Sequence, residues 1–174
     1  MKTKSMARTR QIVTLALLLA LEIVLSRFLS ISTPVLKIGF SFIPIALVAM
    51  LYGPLWAGCT AALADFLGAI LFPIGPYFPG FTLTAFLTGL LFGLFLYKKE
   101  VKWYRVLLCT VIIAVALTLC LDTLWLSMLY DKAAAAFVTA RLIKCAVMIP
   151  LQTVVITLLC RRIAVWIQKE QRLT

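Results

Sequence analysis

Residues 98–130 read KKEVKWYRVLLCTVIIAVALTLCLDTLWLSMLY, a basic cluster that leads directly into a long apolar run. Between Val106 and Tyr130, Asp122 is the single charged residue. A helix of about 20 apolar residues is long enough to cross the hydrocarbon core of a bilayer. Lys and Arg are enriched at the cytoplasmic ends of such helices. This stretch therefore predicts a transmembrane helix that begins on the cytoplasmic side.

The rest of the chain repeats this pattern of apolar runs with basic ends. The 174 residues are 64% hydrophobic with a mean hydropathy of +1.09, which is too apolar for an ordinary soluble domain. We predict an all-α membrane protein, a single six-helix domain over residues 1–174 with both termini in the cytoplasm. The second helix is short and contains Pro44, which predicts a kink or a tilted half-span. The six transmembrane helices are expected at about residues 10–30, 38–51, 55–72, 81–97, 106–130 and 136–160.

Twelve of the seventeen basic residues lie at the predicted cytoplasmic ends of these helices. The net charge of +11 could suggest a nucleic-acid binder, but the basic residues cluster at helix ends rather than along one face. We therefore interpret them as topology determinants that contact anionic membrane lipid, and we expect no nucleic-acid partner. The twelve are Lys2, Lys4, Arg8, Arg10, Lys98, Lys99, Lys102, Arg105, Arg161, Arg162, Lys169 and Arg172.

The residue types that carry most enzyme and metal chemistry are sparse. The chain has no histidine, and its five cysteines stand singly inside apolar segments. A disulfide framework or a zinc site is therefore not expected, and the cysteines are interpreted as buried apolar side chains. No GxxxxGK[ST] segment is present for nucleotide hydrolysis. We expect no catalytic residues, no bound metal and no cofactor.

Charged residues inside the predicted helices indicate a function. Each charge at the centre of a bilayer costs roughly 2.5–3.5 kcal/mol, so such residues should be paired, exposed to a wet cavity, or both. Basic residues outnumber acidic ones near the predicted outer ends, which predicts a pocket open to the outside for an anionic ligand. The alternative is structural ion pairing, for example of Arg141 with Asp65 or Asp122. The charges inside helices are Glu22, Arg27, Asp65, Asp122, Arg141 and Lys144, and the basic residues near the outer mouth are Arg27, Lys37, Arg141 and Lys144.

The connection at residues 73–80, PIGPYFPG, contains three prolines and two glycines, which excludes a helix over this segment. We interpret it as an outer lid, in which Tyr77 and Phe78, with the following Phe81, stack on a planar ligand. A plain connector is the alternative. Among the tryptophans, Trp125 shares a helix stripe with Asp122 and is expected to face the site.

Several segments together resemble the substrate-binding S components of energy-coupling factor vitamin transporters. The first helix contains Ala16 and Ala20 in a small-xxx-small motif, which permits close helix approach. Other matching features are the six-helix chain of this length, LKIGF at 36–40 with Pro44, and YGP at 52–54 before a small-residue helix that carries Asp65. The run YFPGFT at 77–82, followed by a helix with Gly89 and Gly93, looks like the folate-specific branch.

The resemblance implies a mechanism. S components capture a vitamin from outside the cell with high affinity, beneath outer loops that act as gates. They then associate with a transmembrane coupling subunit and two ATPase subunits, and they topple in the membrane to release the vitamin inside. On this basis Ala16 and Ala20 form the docking surface for the coupling subunit, and the protein is expected in the plasma membrane of a bacterium.

Folate, the anionic vitamin that the resemblance implies, fits the chemistry of these residues. Its planar pterin ring suits aromatic side chains, and the 2-amino and N3 edge of the ring suits a carboxylate, either Asp65 or Asp122. Its glutamyl carboxylates suit the basic residues of the outer mouth. The predicted substrate-binding residues are Arg27, Lys37, Asp65, Tyr77, Phe78, Pro79, Gly80, Phe81, Asp122, Trp125, Arg141 and Lys144.

Three alternatives to folate binding are considered. An S component for another vitamin is the nearest, and anionic pantothenate fits the basic excess better than cationic thiamine, with riboflavin also open. A small intramembrane enzyme would need a histidine, a metal-binding aspartate cluster or a nucleophile elbow. A structural or channel subunit would not need so many charges in the outer half.

Overall fold

The computed structural model describes residues 2–32, 37–73, 76–99, 102–130 and 135–171. Helices dominate these residues, and one short pair of strands follows the first helix. The helix that begins at Trp103 continues without a break through a π-helical segment to Tyr130. The elements are α1 (Lys2–Arg27), β1 (Ser30–Ser32), β2 (Lys37–Gly39), α2 (Phe42–Tyr52), α3 (Pro54–Leu71), α4 (Pro79–Leu96), α5 (Trp103–Ile112), the π-helical segment (Ile113–Leu121), α6 (Asp122–Tyr130) and α7 (Ala135–Gln171).

Within the described ranges, five helical segments are long and apolar enough to cross a membrane, which confirms the predicted class of helical membrane protein. The sixth helix, α2, has 11 residues, about 16 Å at 1.5 Å per residue and roughly half of the hydrocarbon core. Six crossings and the cytoplasmic position of both termini therefore remain predictions. The five long segments are Arg8–Arg27, Pro54–Leu71, Pro79–Leu96, Trp103–Leu129 and Arg141–Leu159.

The short helix α2 begins four residues later than expected, because the residues before it pair as a strand. Lys37–Gly39 lies antiparallel to Ser30–Ser32, where we had expected only a loop and the first turn of a helix. Gly39 faces Ser30 so closely that a Cβ at residue 39 would lie 2.5 Å from the Ser30 Cβ. Pro44 is the third residue of α2, where no intrahelical N–H bond is lost. The proline therefore introduces no kink.

The loop before α4 is also shorter than expected. Pro79 and Gly80 form the first turn of the helix, although we had excluded helix through residue 80. Proline is favoured at the first helical position because the N–H group that it lacks would have no partner there. The exclusion was wrong for these two residues.

Close contact between α3 and α4 holds the centre of the fold. The Gly89 Cα lies against the Ala57 carbonyl, and the Gly93 Cα lies against Pro54, so that any side chain at either glycine would overlap α3. Small residues allow two helices in a membrane to pack backbone to backbone. The short helix α2 packs against this pair, and its Val48 and Ala49 are completely buried.

The four cysteines whose side chains are described divide into two groups, and the side chain of Cys160 lies outside the described residues. Cys109 and Cys145 are buried, as expected, but Cys59 and Cys120 are exposed on their helices. The expectation of burial was wrong for these two, because a small apolar side chain is equally compatible with a helix face directed at lipid.

Candidate ligand-binding site

A cavity of about 360 Å³ lies between the helices. Side chains from α1, α2, α3, α4, α6 and α7 line it, together with the π-helical segment. Pockets for small organic ligands typically enclose about 300–1,000 Å³. The cavity is thus large enough for a ligand of vitamin size.

The described cavity wall carries equal numbers of acidic and basic side chains. Three acidic and three basic side chains line it among the described residues: Glu22, Asp65 and Asp122, with Arg27, Arg141 and Lys144. The predicted excess of positive charge concerned the outer mouth alone and included Lys37, so it stays a prediction. The side chain of Lys37 lies outside the described residues.

One ion pair crosses the wall between α6 and α7. Arg141 Nη1 donates to Asp122 Oδ2 at 3.1 Å. The same Nη1 donates to the Thr118 carbonyl in the π-helical segment at 2.7 Å. Arg141 is 3% exposed, so its charge is neutralised by a partner that is fixed inside the protein. This is the pairing of Asp122 with Arg141 that the sequence left open as the structural alternative.

The other two cations of the wall are not paired in this way. No described carboxylate lies within salt-bridge distance of Arg27 or Lys144. The Arg27 Nε is buried and has no hydrogen-bond partner among the described residues. The guanidinium of Arg27 lies against Gly68, where a Cβ would come within 2.9 Å of Nε. Arg27 and Lys144 are therefore the cations that remain for a negatively charged ligand.

Asp65 connects the cavity to the loop before α4. Its Oδ2 accepts a hydrogen bond from the Thr82 hydroxyl at 3.0 Å. The Tyr77 hydroxyl lies 3.1 Å from the Thr82 Oγ1 and donates to it, since the Thr82 proton is directed to Asp65. The Tyr77 ring also meets Phe66 edge to face, with ring centroids 5.8 Å apart. The loop is thus held to α3 by one continuous chain of hydrogen bonds.

Five described aromatic residues line the cavity, namely Phe42, Tyr77, Phe78, Phe81 and Phe92, and Trp125 of α6 packs against Phe78. The Phe78 and Trp125 ring centroids are 5.6 Å apart, and Trp125 Nε1 donates to the Thr84 hydroxyl at 3.2 Å. Gly80 makes room for both rings, because a Cβ there would lie 2.6 Å from each. Phe78 and Phe81 line the cavity, whereas Trp125 stands in contact with Phe78 outside the lining.

The predicted site residues fall into three groups. Pro79, Gly80 and Trp125 lie next to the cavity without lining it, and the Lys37 side chain is not described. The cavity brings together Arg27, Asp65, Tyr77, Phe78, Phe81, Asp122, Arg141 and Lys144.

Several polar residues of the wall were missed. Thr84 and Thr88 follow Phe81 at helical spacing on α4, and Ser26 is one turn from Glu22 on α1. This spacing is the signal that could have identified them. Gln152, one turn after Met148 on α7, also lines the cavity and was missed.

Ala16 and Ala20 lie on a different surface. Both are exposed on α1, among exposed apolar neighbours that include Ile12, Leu17 and Leu21. Neither alanine lines the cavity. The face that carries them is therefore separate from the face of α1 that carries Glu22 and Ser26 into the site.

Comparison with known proteins identifies relatives over most of the chain. Residues 10–160 match the family described as ECF transporter, substrate-specific component. The folate transporter FolT of Clostridium novyi (strain NT) is 46% identical over 151 residues, which cover 87% of this chain and 88% of the relative. The folate transporter FolT of Leuconostoc mesenteroides is 39% identical over 150 residues, covering 83% and 80%. A crystal structure of FolT bound with folic acid superposes with a TM-score of 0.85 at 44% identity, covering 88% of this chain and 94% of that one.

Proposed function

The chain belongs to the family of ECF transporter substrate-specific components, and from that premise we propose that it binds folate from outside the cell as the specificity subunit of an ATP-driven uptake transporter. Two relatives, 46% and 39% identical to it over the aligned residues, are folate transporters. A protein of the same fold, 44% identical, has been crystallised with folic acid.

The observation that carries this proposal is a cavity whose wall holds carboxylates, aromatic rings and two cations that have no carboxylate partner among the described residues. Folate combines the complementary groups. Its pterin ring is planar and donates hydrogen bonds from the 2-amino group and N3, and its glutamyl end carries two carboxylates. Hydrogen bonds to charged groups contribute about 1.5–3 kcal/mol each, so the wall discriminates against ligands that lack either end.

The ligand's anionic end would meet Arg27 and Lys144, with Lys37 contributing from β2. Phe78 and Phe81 would contact the ring, and Asp65 or Asp122 would accept its donors. Tyr77 would act through the loop that closes the site, and Pro79 and Gly80 would act through the first turn of α4, which positions that loop. Trp125 would act through its contact with Phe78. The balanced charge of the wall suits such a ligand, because it offers acceptors to one end and cations to the other.

We further propose that the exposed face of α1 docks to a transmembrane coupling subunit through Ala16 and Ala20. Small side chains allow another helix to approach this face closely. Two ATPase subunits would supply the energy, because the sequence contains no P-loop of its own. The basic clusters support a plasma-membrane orientation in which both termini face the cytoplasm.

The test is ligand binding by the purified chain alone, in detergent. Folic acid is titrated while tryptophan fluorescence is followed, because Trp125 contacts a ring of the cavity wall. Saturable quenching by folic acid, with no response to pantothenate, riboflavin or thiamine, is expected. A flat response to folic acid, with a response to one of the other vitamins, would overturn the proposal.

A further inference from the structure

Three side chains of α7 bond across to the preceding long helix. Arg141 donates to the Thr118 carbonyl, and the Cys145 Sγ lies 3.8 Å from the Ala114 carbonyl that accepts from it. Further along, the hydroxyls of Thr153 and Thr110 are 3.0 Å apart. The first two acceptors are carbonyls of the π-helical segment. Such segments are uncommon inside α-helices and occur frequently at functional sites.

Arg141 forms the end of this row that reaches the cavity. It is buried, and both of its described hydrogen bonds leave from Nη1. One bond goes to a backbone carbonyl and the other to Asp122, so the guanidinium fixes the carboxylate relative to the π-helical segment. A cation that is already neutralised by a neighbouring carboxylate attracts a second anion only weakly.

Asp122 has one carboxylate oxygen left over. Its Oδ2 accepts from Arg141, whereas its Oδ1 is buried with no described group at hydrogen-bond distance. The Thr84 hydroxyl also interacts with this carboxylate, but its single proton is directed to the Gly80 carbonyl at 3.1 Å. Buried carboxylate oxygens normally have donors, and Asp122 lines the cavity. A donor supplied by a ligand would complete this site. Asp65 differs, because it is half-buried and is occupied with Thr82, through which it holds the loop.

We propose that Arg141 is a positioning residue, which holds Asp122 so that this carboxylate accepts the hydrogen bonds of the ligand's ring. Arg141 itself does not bind the ligand's anionic end, which Arg27 and Lys144 receive. This inference rests on the proposed function and chooses between the two carboxylates that it leaves open. The rival arrangement places a ligand carboxylate at Arg141 Nε, which is also buried without a partner in the described part of the chain.

The experiment uses two ligands that differ only at the anionic end. Pteroic acid has the pterin ring and the aminobenzoyl group of folic acid but lacks the glutamate, so that it ends in one benzoate carboxylate in place of the two glutamyl carboxylates. Calorimetric affinities for both ligands are measured with the full chain and with the variants R141Q, D122N and K144Q. If a residue acts on the ring, its substitution should lower the affinity for both ligands by the same factor. If a residue acts on the glutamate, its substitution should lower the affinity for folic acid alone.

We expect R141Q and D122N each to lower the affinity for both ligands by the same factor, roughly ten- to a hundredfold. We expect K144Q to lower the affinity for folic acid and to leave the affinity for pteroic acid nearly unchanged. If R141Q lowers the affinity for folic acid but not for pteroic acid, the glutamate binds to Arg141 and the inference is overturned. If the wild-type chain binds no folic acid, the proposed function itself fails, and the two failures are thus distinguishable.

Two further variants guard against a loss that merely reflects misfolding. R141K keeps the charge but cannot reproduce the geometry of the guanidinium, and it should lower both affinities by one common factor. In the double variant D122N/R141Q, the loss should be no greater than the larger single loss, since both residues act as one unit. Additive losses, or an R141K variant with wild-type affinities, would contradict the positioning role.

Discussion

The guanidinium of Arg27 lies against the backbone of Gly68, so that a Cβ at residue 68 would come within 2.9 Å of Nε and 3.2 Å of Nη2. This contact joins α1 to α3 beside the cavity. It also explains why α3 carries a glycine at a buried position where alanine would otherwise favour the helix.

We predict that Gly68→Ala weakens folic acid binding about three- to tenfold, because the added methyl group displaces the Arg27 side chain from the wall. Calorimetry on the purified chain measures the effect. The matched control is the same substitution in an Arg27→Gln background, where no further loss is expected. A similar loss in both backgrounds would show that Gly68 acts independently of Arg27.

Thr82→Val should accelerate the release of folic acid, since it removes the hydroxyl that links Tyr77 to Asp65 while keeping the shape of the side chain. One hydrogen bond of this kind contributes about 0.5–1.5 kcal/mol, which corresponds to a roughly two- to twelvefold faster dissociation. Stopped-flow fluorescence with excess competitor measures the rate. Tyr77→Phe, which keeps the ring, should have a smaller or equal effect on the dissociation rate. An unchanged rate in both variants would show that these hydrogen bonds do not slow the release of folic acid.

Gly80→Ala should destabilise the protein by about 1–3 kcal/mol, because the new Cβ overlaps the rings of Phe78 and Trp125. A lower melting temperature and a shifted tryptophan emission are the expected readouts. Trp125→Phe serves as the control, since it loses the hydrogen bond to Thr84 but keeps an aromatic ring. If Gly80→Ala has the melting temperature of the wild type, the close approach of these rings does not limit stability.

Replacing both Ala16 and Ala20 by tryptophan should abolish folate uptake by cells and leave folic acid binding by the purified chain unchanged. The reason is steric, since both alanines are exposed on α1 and do not line the cavity. Leu63→Trp, on the exposed face of α3, is the matched control for a bulky residue directed at lipid and should preserve uptake. Normal uptake by the α1 variant would remove this face from the docking interface.

Much of the helical framework follows from composition alone, because apolar runs between basic clusters such as residues 98–105 have few alternatives in a bilayer. The hairpin of Ser30–Ser32 with Lys37–Gly39 does not follow from it. Its three residues per strand carry no periodic signal, and the pairing depends on tertiary contacts. Local sequence therefore predicted a loop and an early start for α2.

The candidate site was accessible to sequence reasoning wherever a charge lay in an apolar helix, as with Asp122 and Arg141, since such charges need a partner or a cavity. The position of Trp125 was harder to predict. Its α-helical spacing from Asp122 within α6 placed both residues on one stripe, but a shared stripe gives only the direction of a side chain and not its contacts. The Trp125 ring instead packs on Phe78 and donates to the Thr84 hydroxyl. Thr118 and Asp122 line the cavity, and Trp125 does not.

The equal numbers of acidic and basic side chains in the described wall have an electrical consequence. Moving one elementary charge across the membrane potential takes about 2.3 kcal/mol per 100 mV. If the protein turns within the bilayer, as its resemblance to S components implies, these six side chains carry no net charge through the field when the cavity is empty. A dianionic ligand would then add net charge at this site, so these six side chains would contribute to the voltage dependence of the loaded state and not to that of the empty one.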